Sequence, residues 1–384
     1  MRIRVAVACI CLLAYCLKGK AQNLSVSGYV ENCTMVAETD PKMTEETLWQ
    51  NITCLRTDVE WRMNGHWQME VGIKNHLTWG NDNVTKELEG ALNRRTNRLN
   101  LNWKILDTKG RMMSLAPDRC MVQWSANRWE VKAGRQRINW GQTVIWNPND
   151  IFNPSPFVTL YYPEHSGCDA IRTTFYHNET ARSELAASVD WAGKPTIAFL
   201  HANHSGETDF QLMGGVYKGS DMVIGGGMTT ALNNVNIRME GSYFHDFKTT
   251  EGETDLMEIS LGADKIFPNN LTLQGEVLYT NRPLKVTADG IWERSFLQTS
   301  AKRLTISHWS LAGSVYYPFT PRCSIKAIGG YWHDHRSMYA DMELKYQITQ
   351  DLQVAATVHA ADYNDDTLLR ADAHMGTLRL KWNF

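Results

Sequence analysis

Apolar and charged residues alternate with a period of two over most of this 384-residue chain, and few folds can use such a pattern. Leu55, Thr57, Val59, Trp61 and Met63 alternate with Arg56, Asp58, Glu60 and Arg62. Asn64-Gly65 then supplies a hairpin turn, after which Trp67, Met69, Val71 and Ile73 alternate with Gln68, Glu70, Gly72 and Lys74. Successive strand side chains point to opposite faces, so one face is apolar and the other heavily charged. The dyad returns around Leu99–Ile105, Trp129–Gly134, Glu184–Trp191, Val235–Tyr243 and Asp341–Ile348, with hardly a helix-period segment between. Strands joined by turns without helices read as an antiparallel sandwich or barrel. At this length a single closed barrel avoids the exposed edges that an open sheet would present.

The first residues read as a signal peptide over 1–21. Arg2 and Arg4 precede the apolar run Val5–Leu17, and Gly19-Lys20-Ala21 offers a small-x-small cleavage site before Gln22. Leu13-Ala14-Tyr15-Cys16 has the outline of a lipoprotein box, but Tyr15 is bulky where such boxes want a small residue. Residues 22–384 then form one domain without a Gly/Ser linker or an apolar stretch long enough to span a bilayer as a helix. A formal net charge of −2 gives no reason to expect nucleic acid as partner. Such a polar average suits a transmembrane barrel, which shows lipid only alternate residues. Strand-plus-link units of about 20 residues, with spans of about 9–11, suggest about 18 strands within a bracket of 16 to 20. The up–down parity of the strands fails to close around Arg98–Ser125 and again around Arg294–Tyr317. Short links at Asn64-Gly65, Ala192–Lys194, Lys218–Ser220, Pro268–Asn270 and Gln350-Asp351 alternate with longer ones near Glu38–Asn51, Asn81–Asn97, Trp140–Gly167 and Asn281–Glu293. Aromatic residues at strand ends, among them Trp61, Trp67, Trp79, Trp103, Trp191, Tyr243, Tyr279 and Trp332, suit interfacial girdles, though aromatics also favour strands in general.

In a barrel the charged face lines the lumen, because an Arg or Lys facing the bilayer midplane costs about 2–4 kcal/mol. That face carries Arg56, Asp58, Glu60, Arg62, Glu70 and Lys74, then Lys104, Glu130 and Lys132, then Arg238 and Glu240. Asp341, Glu343, Lys345, Arg379 and Lys381 complete it. Mixed signs predict cross-strand ion pairs and a wet pore of weak charge selectivity. Cys33 and Cys54 share the lumen-facing parity on the first two strands, a placement that permits a disulfide across their loop. Cofactors are not implied. No His/Asp cluster has metal spacing, and His201-Ala-Asn-His-Ser205 lacks a nucleophile motif around it. An enzyme is therefore not expected.

Two resemblances sharpen this reading. Gly376-Thr-Leu-Arg-Leu-Lys-Trp-Asn-Phe384 resembles the terminal strand of bacterial outer-membrane proteins, which implies recognition by their barrel-insertion machinery through Phe384. Gly134-Arg-Gln-Arg-Ile-Asn-Trp-Gly141, followed by Trp146-Asn-Pro-Asn-Asp-Ile-Phe-Asn-Pro154, resembles a porin-like outer-membrane family. In that family a strand ending in GRQ-x-x-x-WG runs on into an NP-x-D loop. The resemblance covers about half of the chain beyond the signal and implies an outer-membrane location in contact with lipid. Many porins are trimers, so a homo-oligomer fits it.

Arg135–Pro154 breaks the strand pattern and is expected to fold into the lumen as a constriction. Arg135, Arg137 and Asp150 would set its field, and Trp140 and Trp146 an aromatic rim. The function expected is diffusion of small hydrophilic solutes. The alternative is a closed barrel acting through its outer loops.

Overall fold

The computed structural model describes residues 23–39, 47–81, 97–154, 167–247, 255–284, 300–302, 304–364 and 370–384. The signal peptide expected over 1–21 lies outside them. Strands β1 (Leu24–Thr39), β2 (Leu48–Arg62), β3 (Trp67–Gly80), β4 (Trp103–Thr108), β5 (Arg111–Ala126) and β6 (Trp129–Gln136) open the chain. They are followed by β7 (Cys168–Tyr176), β8 (Arg182–Val189), β9 (Pro195–Ser205), β10 (Thr208–Tyr217), β11 (Asp221–Leu232) and β12 (Val235–Asp246). The remainder are β13 (Asp255–Ile266), β14 (Thr272–Thr280), β15 (Trp309–Thr320), β16 (Cys323–Trp332), β17 (Ser337–Gln347), β18 (Leu352–Asn364) and β19 (Arg370–Asn383).

Every pairing is antiparallel, and β1 pairs with both β2 and β19, so the sheet closes on itself. The seam is drawn shut at its end by the last residue. Gly28 N donates to the Phe384 carbonyl at 3.0 Å, and Phe384 N donates back to Gly28 at 3.0 Å. Gly28 has to be glycine here. A Cβ on it would lie 2.2 Å from the Arg56 carbonyl oxygen and 2.8 Å from the Phe384 ring.

The ring has 18 strand positions although the described residues form 19 strands, because β4 and β6 share one. β5 pairs along one edge with β3, while its other edge is taken by β6 over Cys120–Ala126 and by β4 over Arg111–Leu115. The up–down parity that fails to close around Arg98–Ser125 has its cause in this shared position, and β5 carries an irregularity of its own there. Gly72 pairs with Arg119 and Ile73 with Pro117, which leaves Asp118 as the extra residue of a β-bulge. Past that bulge the inward and outward sets of β5 exchange. The second failure of up–down parity coincides with residues 300–302 and 304–308, which join no strand before β15 begins at Trp309.

Outward positions are apolar around the wall: Leu185, Ile197, Leu212, Ile224, Leu261, Val358 and Leu378 are all at least half exposed. Aromatic residues bracket this band. Trp61, Trp67, Trp129, Phe319 and Trp382 stand at the end carrying the chain termini, and Trp49, Trp191, Tyr243 and Trp309 at the other. From Trp49 to Trp61 along β2, at about 3.3 Å per residue and a tilt of about 45°, the axial distance is about 28 Å. An outer-membrane band of about 25 Å fits within it. Trp332 departs from the expectation. It pairs with the fully buried Ser310 and so lies on the inner face, leaving the outward place to Tyr331.

Loop length also alternates less strictly than the sequence suggested. Following the strands up and down puts the short links at 190–194 and 218–220 at the same end as the long loops. At that end β6, β7 and β8 are only 8 or 9 residues long, and the rim is low.

Gly28→Val is expected to destabilise the closed barrel by about 1–3 kcal/mol, the usual cost of overpacking. The readout is a lower temperature for losing the compact, SDS-resistant form on an unheated gel.

Candidate functional site: the inward segment and its seat

The lumen is occupied on one side by a segment that leaves the wall where β6 ends. Gly134 makes the departure, with φ +120° and no room for a side chain, since a Cβ would meet the Cys120 carbonyl oxygen at 2.2 Å. Gln136 then compensates the interrupted ladder, its Nε2 donating to the carbonyls of Lys132 and Ala170 at 3.1 Å each. Arg135 turns toward the breach itself. Its Nε donates to Asp169 Oδ1 at 2.8 Å, Nη1 to the Pro117 carbonyl at 3.1 Å and Nη2 to the Leu99 carbonyl at 2.7 Å. Residues 97–99 span the same opening, Leu99 N donating to Asp169 and Asn97 Nδ2 to the Gly167 carbonyl. Arg135 thus stitches the wall at the place the strand vacates.

Residues 137–154 are wired largely by their own short amides and carboxylate. Asn153 Oδ1 accepts from Ile138 N, Asn139 Oδ1 from Gly141 N and Asp150 Oδ1 from Asn153 N. Burial pushes the Asp150 carboxyl up to about 7, against the pull of the Asn153 N–H and the Arg137 charge. Ile138, Trp140, Ile151 and Phe152 join wall residues such as Leu200, Met213, Val223 and Phe244 in one apolar cluster inside the barrel. Trp140 and Trp146 are 3% and 2% exposed, packed between segment and wall. Trp140 Nε1 donates to Glu184 Oε2 at 3.1 Å, and Trp146 sits with Leu278 and Ala312. Arg137 remains partly exposed at the segment's base.

Opposite the departure point, two buried glutamates receive the segment's backbone. Glu240 on β12 accepts from the N–H groups of Gln142, Thr143 and Asn149. Glu276 on β14 accepts from Val144 at 3.2 Å, Ile145 at 2.9 Å and Trp146 at 2.7 Å, and also from the Ser260 hydroxyl. A hydrogen bond to a charged acceptor contributes about 1.5–3 kcal/mol, so the seat offsets the cost of burying the carboxylates. β11, which lies between the departure point and Glu240, is thinned to admit the segment. A Cβ on Gly225 would lie 2.4 Å from Asn149 Oδ1, and one on Gly227 2.8 Å from Gln142 Oε1.

A second stretch, residues 300–302 and 304–308, reaches the ends of β10, β11 and β13. Lys302 forms an ion pair with Asp221, the Ser300 hydroxyl lies 3.0 Å from that of Tyr217, and Leu304 N donates to Glu258 at 3.5 Å. His308 pins it to the rim, its N donating to Asp334 Oδ2 at 2.8 Å and its Nδ1 lying 2.5 Å from the same oxygen. Burial raises the Asp334 carboxyl, but these His308 contacts outweigh it and hold it below its ordinary range.

The charged residues expected on the lumen side take inward positions, mostly in ion pairs. Arg56 bonds Asp58 at 2.6 Å and reaches across β3 to Asp118 at 2.9 Å, where Lys74 Nζ arrives at 2.8 Å. Gly72 on β3 makes the crossing feasible, because a Cβ there would lie 2.6 Å from Asp58 Oδ1. Arg62 pairs with Glu60, Arg238 with Asp264 and Arg379 with Glu343, while Lys381 Nζ stands 3.8 Å from the centre of the Tyr29 ring. Glu70 and Lys345 share the same parity, opposite Glu60 and Ser324. Lys104 instead sits on the exposed β4, beside Asp107. Cys33 and Cys54 lie on the inner face but form no disulfide with each other, being offset diagonally because Cys33 opposes Ile52 and Cys54 opposes Glu31. His201 and His204 fall on opposite faces of β9 and do not converge: His201 Nδ1 lies 3.0 Å from the Ser183 hydroxyl, His204 Nδ1 2.9 Å from Asp209. Asp118, Asp169, Glu276 and the Gly225–Gly227 run escaped the sequence reading. Only the triple glycine was a visible signal.

No family model and no curated protein matches the sequence. Solved structures do match the fold. OccK11 (OpdR) of Pseudomonas aeruginosa superposes with a TM-score of 0.60 at 9% identity, covering 94% of this chain and 96% of that one. The outer membrane protein OprD of the same organism gives 0.58 at 11%, with 95% of each chain covered. OccAB4 of Acinetobacter baumannii gives 0.58 at 10%, covering 95% and 100%. What this chain shares with them is the fold of a closed antiparallel barrel.

Asp169→Ala would strand the buried Arg135 guanidinium, at a cost of about 3–5 kcal/mol. A lower urea midpoint for the barrel, with the fold otherwise retained, is the expected measurement.

Proposed function

We propose that this chain is an outer-membrane channel for diffusion of small hydrophilic solutes, narrowed by the segment 137–154. The observation that carries the reading is the placement of that non-strand segment inside the barrel, anchored to a polar inner wall. Irregular backbone at membrane depth persists only where protein buries it or water reaches it. The inner wall carries charged pairs of both signs, several of them partly exposed, which supports a hydrated path, whereas the outer wall is apolar. In this reading Arg137 brings charge to the constriction, Asp150 holds its turn, Trp140 and Trp146 fix it to the wall, and Arg135 seals the barrel beside it.

The location follows from the same premises. Residues 1–21 direct export and are removed, and the terminal strand ending on Phe384 is read by the insertion machinery. The aromatic girdles then seat the barrel at the two lipid interfaces. Chemistry on the solute is not part of this function.

Refolded protein in a planar bilayer tests the proposal. Steady conductance steps are expected, and deleting Trp146–Pro154 is expected to raise the unit conductance roughly two-fold or more. A folded but silent barrel would sink the channel reading and turn attention to the outer loops. Equal conductance with and without the deletion would remove the segment as the constriction.

A further inference from the structure

We propose that Glu240 and Glu276 are positioning residues that hold the constriction by its backbone, and that they do so as carboxylates. The inference rests on the channel reading only for its consequence for conductance; the seat itself is a matter of geometry. Six consecutive or nearly consecutive donors, the N–H groups of residues 142–146 and 149, converge on the four oxygens of two side chains. Among the described residues neither glutamate forms an ion pair, so the peptide N–H groups and Ser260 are their partners. Each group facing the two carboxylates in these contacts is a donor. An ionised carboxylate accepts on both oxygens and donates nothing, whereas an amide would turn one oxygen into an NH2 aimed at an N–H.

Two further features favour backbone recognition over side-chain recognition. The donors come from Gln, Thr, Val, Ile, Trp and Asn, residue types with little in common, and all six contribute the same peptide group. Gly225 and Gly227 clear the intervening wall for this stretch of chain. The two glutamates stand on β12 and β14, either side of β13, where Ser260 opposes Glu240 and donates to Glu276. The seat is therefore one unit spanning three strands.

The test is hydrogen exchange, read by mass spectrometry on the refolded full chain, together with single-channel recording. In the wild type the amides of 142–146 and 149 are expected to exchange slowly, like those of the strands. In Glu240→Gln/Glu276→Gln, which keeps side-chain volume, they are expected to exchange roughly ten-fold faster or more while β12–β14 stay protected. The same variant is expected to show a larger and noisier conductance step. Unchanged exchange in a folded double variant overturns the proposal, whether or not the channel conducts. A silent wild type with accelerated exchange in the variant supports the seat and defeats the channel reading alone. If the double variant does not reach the heat-resistant form, Glu276→Gln gives the same contrast over Val144–Trp146, with Glu240 as internal control.

Discussion

The constraint on which this barrel rests is that each buried backbone N–H and C=O needs a partner. Closing β19 against β1 meets that need around the ring, and Phe384 can complete the last pair because Gly28 leaves room for it. Among the described residues, β6 is the strand that quits the wall, at Gln136, to enter the lumen. The breach is then rebuilt from unlike parts: β4 pairs with the upper edge of β5, Gln136 covers two carbonyls, and Arg135 with Asp169 ties residues 97–99 across. An inward loop therefore demands repairs in the wall from which it came.

Inside, the same accounting is done with charges. The inner wall buries ionised groups at sites where glycine or a bulge lets opposite charges meet. The bulge at Asp118 aims a carboxylate at Arg56 and Lys74, and Gly72 opens the path over β3. Where no cation is at hand, as at Glu240 and Glu276, peptide N–H groups take that place. A buried carboxylate tolerates either arrangement, since each supplies hydrogen-bond donors in place of water. The choice has consequences for shape: ion pairs keep the wall flat, while N–H donors draw a whole segment onto it.

Much of this was legible in the residue order. Strand positions around Leu55–Ile73 and the direction of each face depend on a local period of two, which a strand cannot evade without turning charge to the apolar outer face, and the number of barrel positions follows from chain length. The departure at Arg135–Pro154 was legible too, because prolines and asparagines interrupt that period. The failing up–down parity around Arg98–Ser125 was visible, but its cause was not. That β4 and β6 share one edge of β5 depends on β3 having taken the other, a pairing of residues far apart in the chain.

By itself, then, the sequence determined the all-β barrel, its faces and the site where the wall would open, since these rest on neighbours two residues apart. Only the tertiary structure decided which side chains act together. Arg135 and Arg137 are two residues apart in the chain, yet one seals the wall and the other stands at the base of the inward segment. Trp140 and Trp146 turn toward the wall because carboxylates on β8 and β14 bind the segment beside them. Glu240 and Glu276 read as two more lumen charges or as nothing at all until closure of the ring set them opposite the segment's N–H groups. Closure is a long-range event, and no local pattern carries the distances it creates.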